Sequence, residues 1–417
     1  MCKNQWANVD CKILHCAEKG NIICYIRAVL IMLAKGDERL ADCKERPSLI
    51  YWEITGVCNH NCIHCFNYWR NDDNSEYSSC GTLDQQGMME IVAKIIQVRP
   101  RRVVITGGEP LTAFARLCPA IDLIVAEKIN VSINTNGALL TEEMAEYFRR
   151  NKVGLFVSFP SCVPEEFDRI VDRKGAFENV DKGLRIAKKY GLKFRTNTVV
   201  SRINVNSLYD TIKYIRDTYD TEFICATYVS RPINATDEFK EFMLDDDGFD
   251  IYVKECVRAG HELNVKIRAA SHLSFCSFRN YRTFEQFAFK SACSAGKNSV
   301  VITESGDMRA CARGDQIYGN ILKEPFDEIW DRMAQWRDGS FVPPECKRCL
   351  VKKYCRGGCH IDNTYSPHPG KHIAMYSAPE KKLRVYYWTQ RLLLRRWIKA
   401  ACRDPLGIFG IKRRKKK

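Results

Sequence analysis

Apolar residues in this chain recur as short β-branched runs, separated by longer stretches with helical spacing. The runs Leu49–Thr55, Arg102–Thr106, Asn130–Asn134, Gly154–Phe159, Lys193–Val200 and Glu222–Val229 predict six strands. Between them, Ile91, Ala93, Ile95 and Ile96 fall among polar residues of Met88–Val98. Phe177, Val180, Leu184 and Ala187 keep one helical face, and Gly191 stands where a helix stop belongs. Six strand–helix repeats imply parallel strands joined by right-handed crossovers, hence an α/β sheet or partial barrel.

Past about residue 275 the alternation stops. Short segments with Gly and Pro follow, carrying seven cysteines before residue 379. A region too small for a wide apolar core relies on metal crosslinks. From Pro379 to Ala401 the chain reads as helical again, with Leu383, Tyr386, Tyr387, Leu392 and Trp397 set among basic residues. That pattern predicts an amphipathic helix docked on its own domain. The expected order is an N-terminal segment (1–47), a strand–helix domain (48–274), a cysteine-rich domain (275–378) and a basic helix with tail (379–417).

Composition narrows the class. The chain has 417 residues, 45% apolar and 28% charged, as in globular proteins. The longest apolar candidate, Ile22 to Ala34, is interrupted by Arg27 and falls short of the roughly 18 residues of a membrane span. Met1 to Asp10 lacks the basic start and apolar core of an export signal, so a cytoplasmic location is expected. Twenty-one cysteines would mark a disulfide scaffold in a small secreted chain. In a long α/β chain they point to thiolate ligation of metal. The net charge of +15 owes six charges to the run from Lys412 to Lys417, a tail suited to acidic partners or to simple solvation.

The sharpest chemistry is Cys58-Asn-His-Asn-Cys62-Ile-His-Cys65, directly after the first strand. Three thiolates in so short a loop hold three corners of a cubane cluster and leave the fourth iron to a ligand outside the protein. Zinc closed by His60 or His64 is the competing use of the same residues. Strand Arg102–Thr106 ends in Gly107-Gly108-Glu109-Pro110, where two glycines permit close backbone approach and Glu109 can accept from an ammonium group. The third strand ends in Thr135-Asn136-Gly137.

This combination resembles the radical S-adenosylmethionine (radical SAM) superfamily. The resemblance implies a partial (β/α)6 TIM barrel and a 4Fe-4S cluster on Cys58, Cys62 and Cys65. The open iron of that cluster chelates S-adenosylmethionine, whose reductive cleavage yields a 5′-deoxyadenosyl radical. It further implies cofactor contacts from Gly107, Gly108, Glu109, Pro110 and Asn136, and from Ser158 at the end of the fourth strand. Here Phe159-Pro160 replaces the usual Asp-Gly, and Val171 stands where relatives place an Arg. Arg195, or else Arg173, is the candidate for the cofactor carboxylate.

Cys293, Gly306 to Cys311, then Cys346-Lys-Arg-Cys349, Cys355 and Cys359 form a second constellation with more ligands than one tetrahedral site needs. Taken alone it would suit two zinc ribbons. Its spacing resembles the SPASM iron–sulfur domain, which implies two auxiliary 4Fe-4S clusters. Cys293, Cys311 and Cys359 would hold the first, and Cys346, Cys349 and Cys355 the second. Cys402 is the expected fourth ligand of the second cluster. Cys276, or an open iron, would complete the first. Cys225 and Cys256 read as small buried apolar residues. The N-terminal Cys2, Cys11, Cys16, Cys24 and Cys43 match no site.

The resemblance implies an enzyme that modifies or crosslinks a ribosomally made precursor peptide through a thioether, C–C or C–O bond. It would use a flavodoxin- or ferredoxin-type electron donor. Because 47 residues before the barrel are too few for a winged-helix leader-binding module, docking would fall to a hairpin or helix at Ile13–Val29 or to a separate leader-recognition protein. Three other readings compete. One is radical chemistry on a small molecule of cofactor biosynthesis. Another is anaerobic sulfatase maturation, disfavoured because Ala312 replaces the Asp that usually follows the cysteine at 311. The last is a non-catalytic zinc protein using its basic tail on nucleic acid. Neither a nucleic-acid partner nor a membrane span is expected.

Overall fold

The computed structural model describes residues 46–67, 84–270, 272–287, 293–365 and 383–394. The N-terminal segment with its five cysteines, Cys402 and the basic tail lie outside them.

Among the described residues, all ten strands belong to one open sheet. Seven run parallel in chain order: β1 (Leu49–Glu53), β2 (Arg102–Thr106), β3 (Asn130–Thr135), β4 (Gly154–Ser158), β5 (Phe194–Val200), β6 (Phe223–Tyr228) and β7 (Lys266–Arg268). On the far side of β1, β8 (Ser299–Ile302) adds in parallel; β9 (Asp307–Arg309) and β10 (Ile317–Asn320) then turn back antiparallel. The six expected strands are all present. The structure adds β7, whose three residues alternate exposed, buried, exposed, and the cysteine-rich region donates the β8–β10 edge.

Helices α1 (Gln85–Val98), α2 (Phe114–Ala126), α3 (Glu142–Arg150), α4 (Pro164–Val171), α5 (Ala176–Lys189), α6 (Leu208–Tyr219) and α7 (Asp246–Glu262) fill the crossovers. Their ends follow local chemistry. The Asp84 carboxylate caps the Gly87 amide of α1 at 2.8 Å, and that of Asp245 caps Gly248 of α7 at 2.8 Å. Past α5, Gly191 takes the left-handed φ of 65° that lets the chain leave the helix.

Alternation along the strands separates two environments. One face carries Ile50, Trp52, Val103, Ile105, Val131, Ile133, Leu155, Val157, Ile224, Ala226 and Ile267, buried in the core that includes the helices. The other face carries Tyr51, Glu53, Thr106, Ser132, Asn134, Ser158, Asn197 and Thr227 beside the apolar Val104, Phe156 and Cys225, and is mostly half-buried. In a partial barrel that second face is the inner one, mixed in polarity. Residues 383–394 form a helix that buries Val385 and Leu392, with Trp388 against Phe284 at 5.5 Å and Arg391 over the Tyr281 ring at 4.4 Å.

Candidate functional site

The cysteine loop leaves the C-terminal end of β1 and is held from three sides. The Gly108 and Glu109 amides donate to the Thr55 and Val57 carbonyls at 2.6 and 2.7 Å, docking the loop on the end of β2. The glycines are a steric necessity there. A Cβ on Gly107, whose φ is 129°, would meet the Thr55 oxygen at 2.5 Å, and one on Gly108 would meet the Val57 oxygen at 2.1 Å. From the third strand, the Asn136 side chain donates to Asn59 at 2.7 Å. From below, the Asn61 and Ile63 amides donate to the Val171 and Ile170 carbonyls at the end of α4, both at 3.0 Å. These last bonds use carbonyls that a helix C-terminus otherwise leaves open. Asn67 closes the loop by donating to the Gly107 carbonyl at 2.9 Å.

Glu109 is buried behind this loop. It accepts from the Thr135 hydroxyl and the Asn136 amide at 2.6 Å each, and from the Leu111 amide at 3.0 Å. Burial raises its pKa above the usual carboxylate range, against the pull of those three donors. The carboxylate thus ties the Gly-Gly-Glu-Pro turn to the Thr-Asn-Gly turn. The latter is seated by helix α5: a Cβ on Gly183 would meet the Gly137 carbonyl oxygen at 2.1 Å. No sequence signal singled out Gly183, Asn59 or Asn67, because their partners are remote in the chain or are backbone atoms.

Ser158 is exposed on the inner face at the C-terminal end of β4, in register with Asn197 of β5. Arg195 lies two residues earlier, roughly 7 Å along the strand, and its guanidinium sits over the Phe223 ring at 5.6 Å. Arg173 is exposed just past α4. The structure therefore brings Gly107 to Pro110 and Asn136 to the cysteine loop, sets Ser158 at the same end of the sheet, and leaves Arg195 toward the other end.

None of the described cysteines is in a disulfide, and those of the second half fall into two groups. In the first, Cys311 follows β9, which returns antiparallel to β8 toward the N-terminal ends of the barrel strands. Burial pushes the Cys359 thiol up, reinforced by Asp362 and opposed by Arg313, with Cys311 adding to the rise. Cys293 is exposed as a residue, yet burial of its sulfur and then Cys311 push its thiol up to about 11. Tyr51 on the inner face is raised by burial first and by Cys311 next.

A polar bridge joins that group to the opposite arm of the sheet. Arg313 donates to Asp362 at 2.7 Å, to the Arg231 carbonyl at 3.3 Å and to the Cys359 sulfur at 3.4 Å. Asp362 also accepts from Tyr228, the last residue of β6, at 2.6 Å. Nearby, the buried Arg309 of β9 pairs with Glu53 of β1 and donates to the Gly314 carbonyl at 2.5 Å.

The second group gathers around buried Cys355. Cys346 and Cys349 share a turn, the Cys349 amide donating to the Cys346 carbonyl at 3.0 Å. A Cβ on Gly357 would lie 3.5 Å from the Cys346 sulfur. Among the described residues no set of three His, Cys, Asp or Glu side chains converges as a single metal ion requires. The donor chemistry fits clusters: soft thiols in three groups, the first on one short loop past the C-terminal end of β1.

Comparison with known proteins agrees with this arrangement. The model of the radical SAM superfamily matches residues 52–215, and that of an iron–sulfur cluster-binding domain, SPASM, matches residues 293–350. An AdoMet-dependent heme synthase of Methanosarcina barkeri is 26% identical over 75% of this chain and 90% of its own length. The antilisterial bacteriocin subtilosin biosynthesis protein AlbA of Bacillus subtilis is 22% identical over 74% of this chain and 66% of its own. The solved structure of native anSMEcpe with bound AdoMet superposes with a TM-score of 0.62 at 19% identity, covering 85% of this chain and 98% of that one.

Proposed function

The chain is a radical SAM enzyme with a SPASM iron–sulfur domain, and on that premise we propose that it modifies or crosslinks residues of a ribosomally made peptide, using three 4Fe-4S clusters. The observation that carries this reading is the placement of the inner face of the sheet. It runs between the strand ends that carry the Cys58–Cys65 loop and the opposite ends, toward which β9 delivers Cys311. Likeness to the subtilosin protein over three-quarters of the chain supports a peptide substrate.

When bound, the cofactors supply hydrogen abstraction from the substrate at one end of this space and, at the other, a route for the electron the substrate must lose. The chain's own residues do the positioning. Cys58, Cys62 and Cys65 would hold the radical cluster, while Gly107 to Pro110 and Asn136 fix the loop and border the cofactor. Ser158 and Asn197 present hydroxyl and amide groups on the inner face. Arg313 and Asp362 join the Cys359 side to Tyr228 at the end of β6. A precursor peptide and an external one-electron donor are the partners this reading requires.

A second reading, radical chemistry on a small molecule, is favoured by the likeness to the heme synthase, which spans nearly that relative's whole length. The two separate in one experiment. Reconstituted anaerobically and given S-adenosylmethionine, reductant and a precursor peptide encoded beside its gene, the enzyme should form 5′-deoxyadenosine together with a peptide lighter by two hydrogen atoms per crosslink. 5′-Deoxyadenosine formation with unaltered peptide, but turnover of a porphyrin carboxylate, would overturn the peptide reading.

A further inference from the structure

The fourth protein ligand of the second auxiliary cluster is the place where sequence spacing and structure part. Spacing points downstream, to Cys402. The structure points upstream, to the turn that follows β7. Residues Phe275–Ser277 form one turn of 3-10 helix, with Cys276 buried. This turn is packed directly on Cys355. The Phe275 amide donates to the Cys355 sulfur at 3.2 Å, and the His272 ring meets the Cys355 carbonyl at 2.7 Å. Ser274 lies so near Gly358 that a Cβ there would be 3.2 Å from its own. The amide that reaches the Cys355 sulfur belongs to the residue immediately before Cys276, which is itself buried. An N–H aimed at a thiolate is the kind of second-layer contact that tunes cluster ligands.

We propose that Cys276 is the fourth ligand of the second auxiliary cluster, together with Cys346, Cys349 and Cys355. This rests on the three-cluster reading above. It assigns Cys276 to the second group and leaves the first group with three cysteines. The ligand comes from the turn that follows β7, so cluster assembly would tie that turn to the Cys346–Cys355 stretch across some seventy residues of intervening chain, a long loop of the kind whose closure constrains the unfolded state most.

The test compares anaerobically reconstituted wild type, Cys276→Ala, Cys276→Ser and Cys402→Ala by iron and sulfide content and by electron paramagnetic resonance. Far-UV circular dichroism establishes that each variant is folded, and Cys256→Ala serves as a buried control. Wild type should hold about twelve irons, four per cluster. Cys276→Ala should lose one iron as a three-iron cluster signal, or a whole cluster's worth, while Cys276→Ser retains the cluster with an altered signal. Cys402→Ala should match wild type. Full iron and an unchanged signal in folded Cys276→Ala, or loss of a cluster in Cys402→Ala alone, would overturn the assignment. A wild-type count of only about four irons would overturn the three-cluster reading itself, and the assignment with it.

Discussion

Replacing Gly108 by alanine would put a methyl group 2.1 Å from the Val57 carbonyl oxygen, 2.6 Å from its carbon and 2.8 Å from the Gly56 oxygen. All three atoms are backbone, so no side-chain rotation relieves the clash. Ordinary contacts between heavy atoms lie near 3.5 Å, and the cysteine loop must therefore move off β2 by roughly 1 Å or more. That movement breaks the Gly108–Thr55 and Glu109–Val57 hydrogen bonds, each worth about 1 kcal/mol net. Overpacking adds a further 1–3 kcal/mol or so. The total, about 3–5 kcal/mol, is less than the stability of a typical domain, so the variant should fold. What it should lose is geometry, and a displacement of about 1 Å at a reacting centre costs on the order of 100-fold in rate. The assay is 5′-deoxyadenosine formation by the anaerobically reconstituted Gly108→Ala protein, with circular dichroism as the check on folding. Gly191→Ala is the control. Its φ of 65° strains alanine, but nothing lies within 4 Å of the new methyl; it should lower the melting temperature and leave cleavage intact. A folded Gly108→Ala protein that cleaves S-adenosylmethionine at the wild-type rate would refute the claim that these glycines seat the cysteine loop.

Three further outcomes follow from the structure. Arg309→Met leaves Glu53 as a buried, unpaired carboxylate and should cost roughly 3–5 kcal/mol in anaerobic urea unfolding of the iron-free protein. Adding Glu53→Gln should recover much of that, and strictly additive losses would show that the pair is not coupled. Burial works against ionisation of Asp181, yet Arg185, Tyr219 and Tyr214 outweigh it and hold its pKa below the usual value. Its stabilisation is therefore present above the unfolded pKa of about 3.9 and lost as pH falls through the depressed folded value. Asp181→Asn should weaken the iron-free protein near neutrality, and the difference from wild type should shrink below about pH 4. An offset that stays constant down to acid pH would contradict this. Cys346→Ala and Cys349→Ala should still form 5′-deoxyadenosine but no modified peptide, measured by chromatography and mass spectrometry; modified peptide at the wild-type yield would count against an auxiliary cluster at those residues.

The parts of this molecule that the sequence made legible are those set by local pattern. The β1–β6 runs are β-branched and bounded by polar turns, so their limits could be read almost to the residue. The cysteine triplet and the two glycines after β2 are likewise short-range signals. Strand β7 was missed because three alternating residues carry too little pattern. The Arg309–Glu53 pair, Gly183 against Gly137, and the packing of Phe275 on Cys355 join residues tens to hundreds of positions apart, and only the fold reveals them. Glu109 shows a subtler gap. The sequence offers it as an acceptor for an ammonium group, and the structure adds that its carboxylate accepts from Leu111, Thr135 and Asn136 and holds two turns together.

The account is tested most directly by one comparison, wild type against the Cys58→Ala/Cys62→Ala/Cys65→Ala triple variant, each reconstituted anaerobically and incubated with S-adenosylmethionine and a low-potential reductant. Wild type should carry about twelve irons and release 5′-deoxyadenosine, and the triple variant should carry about eight and release none. A wild type with about four irons and no 5′-deoxyadenosine, or a triple variant that still cleaves S-adenosylmethionine, would contradict it.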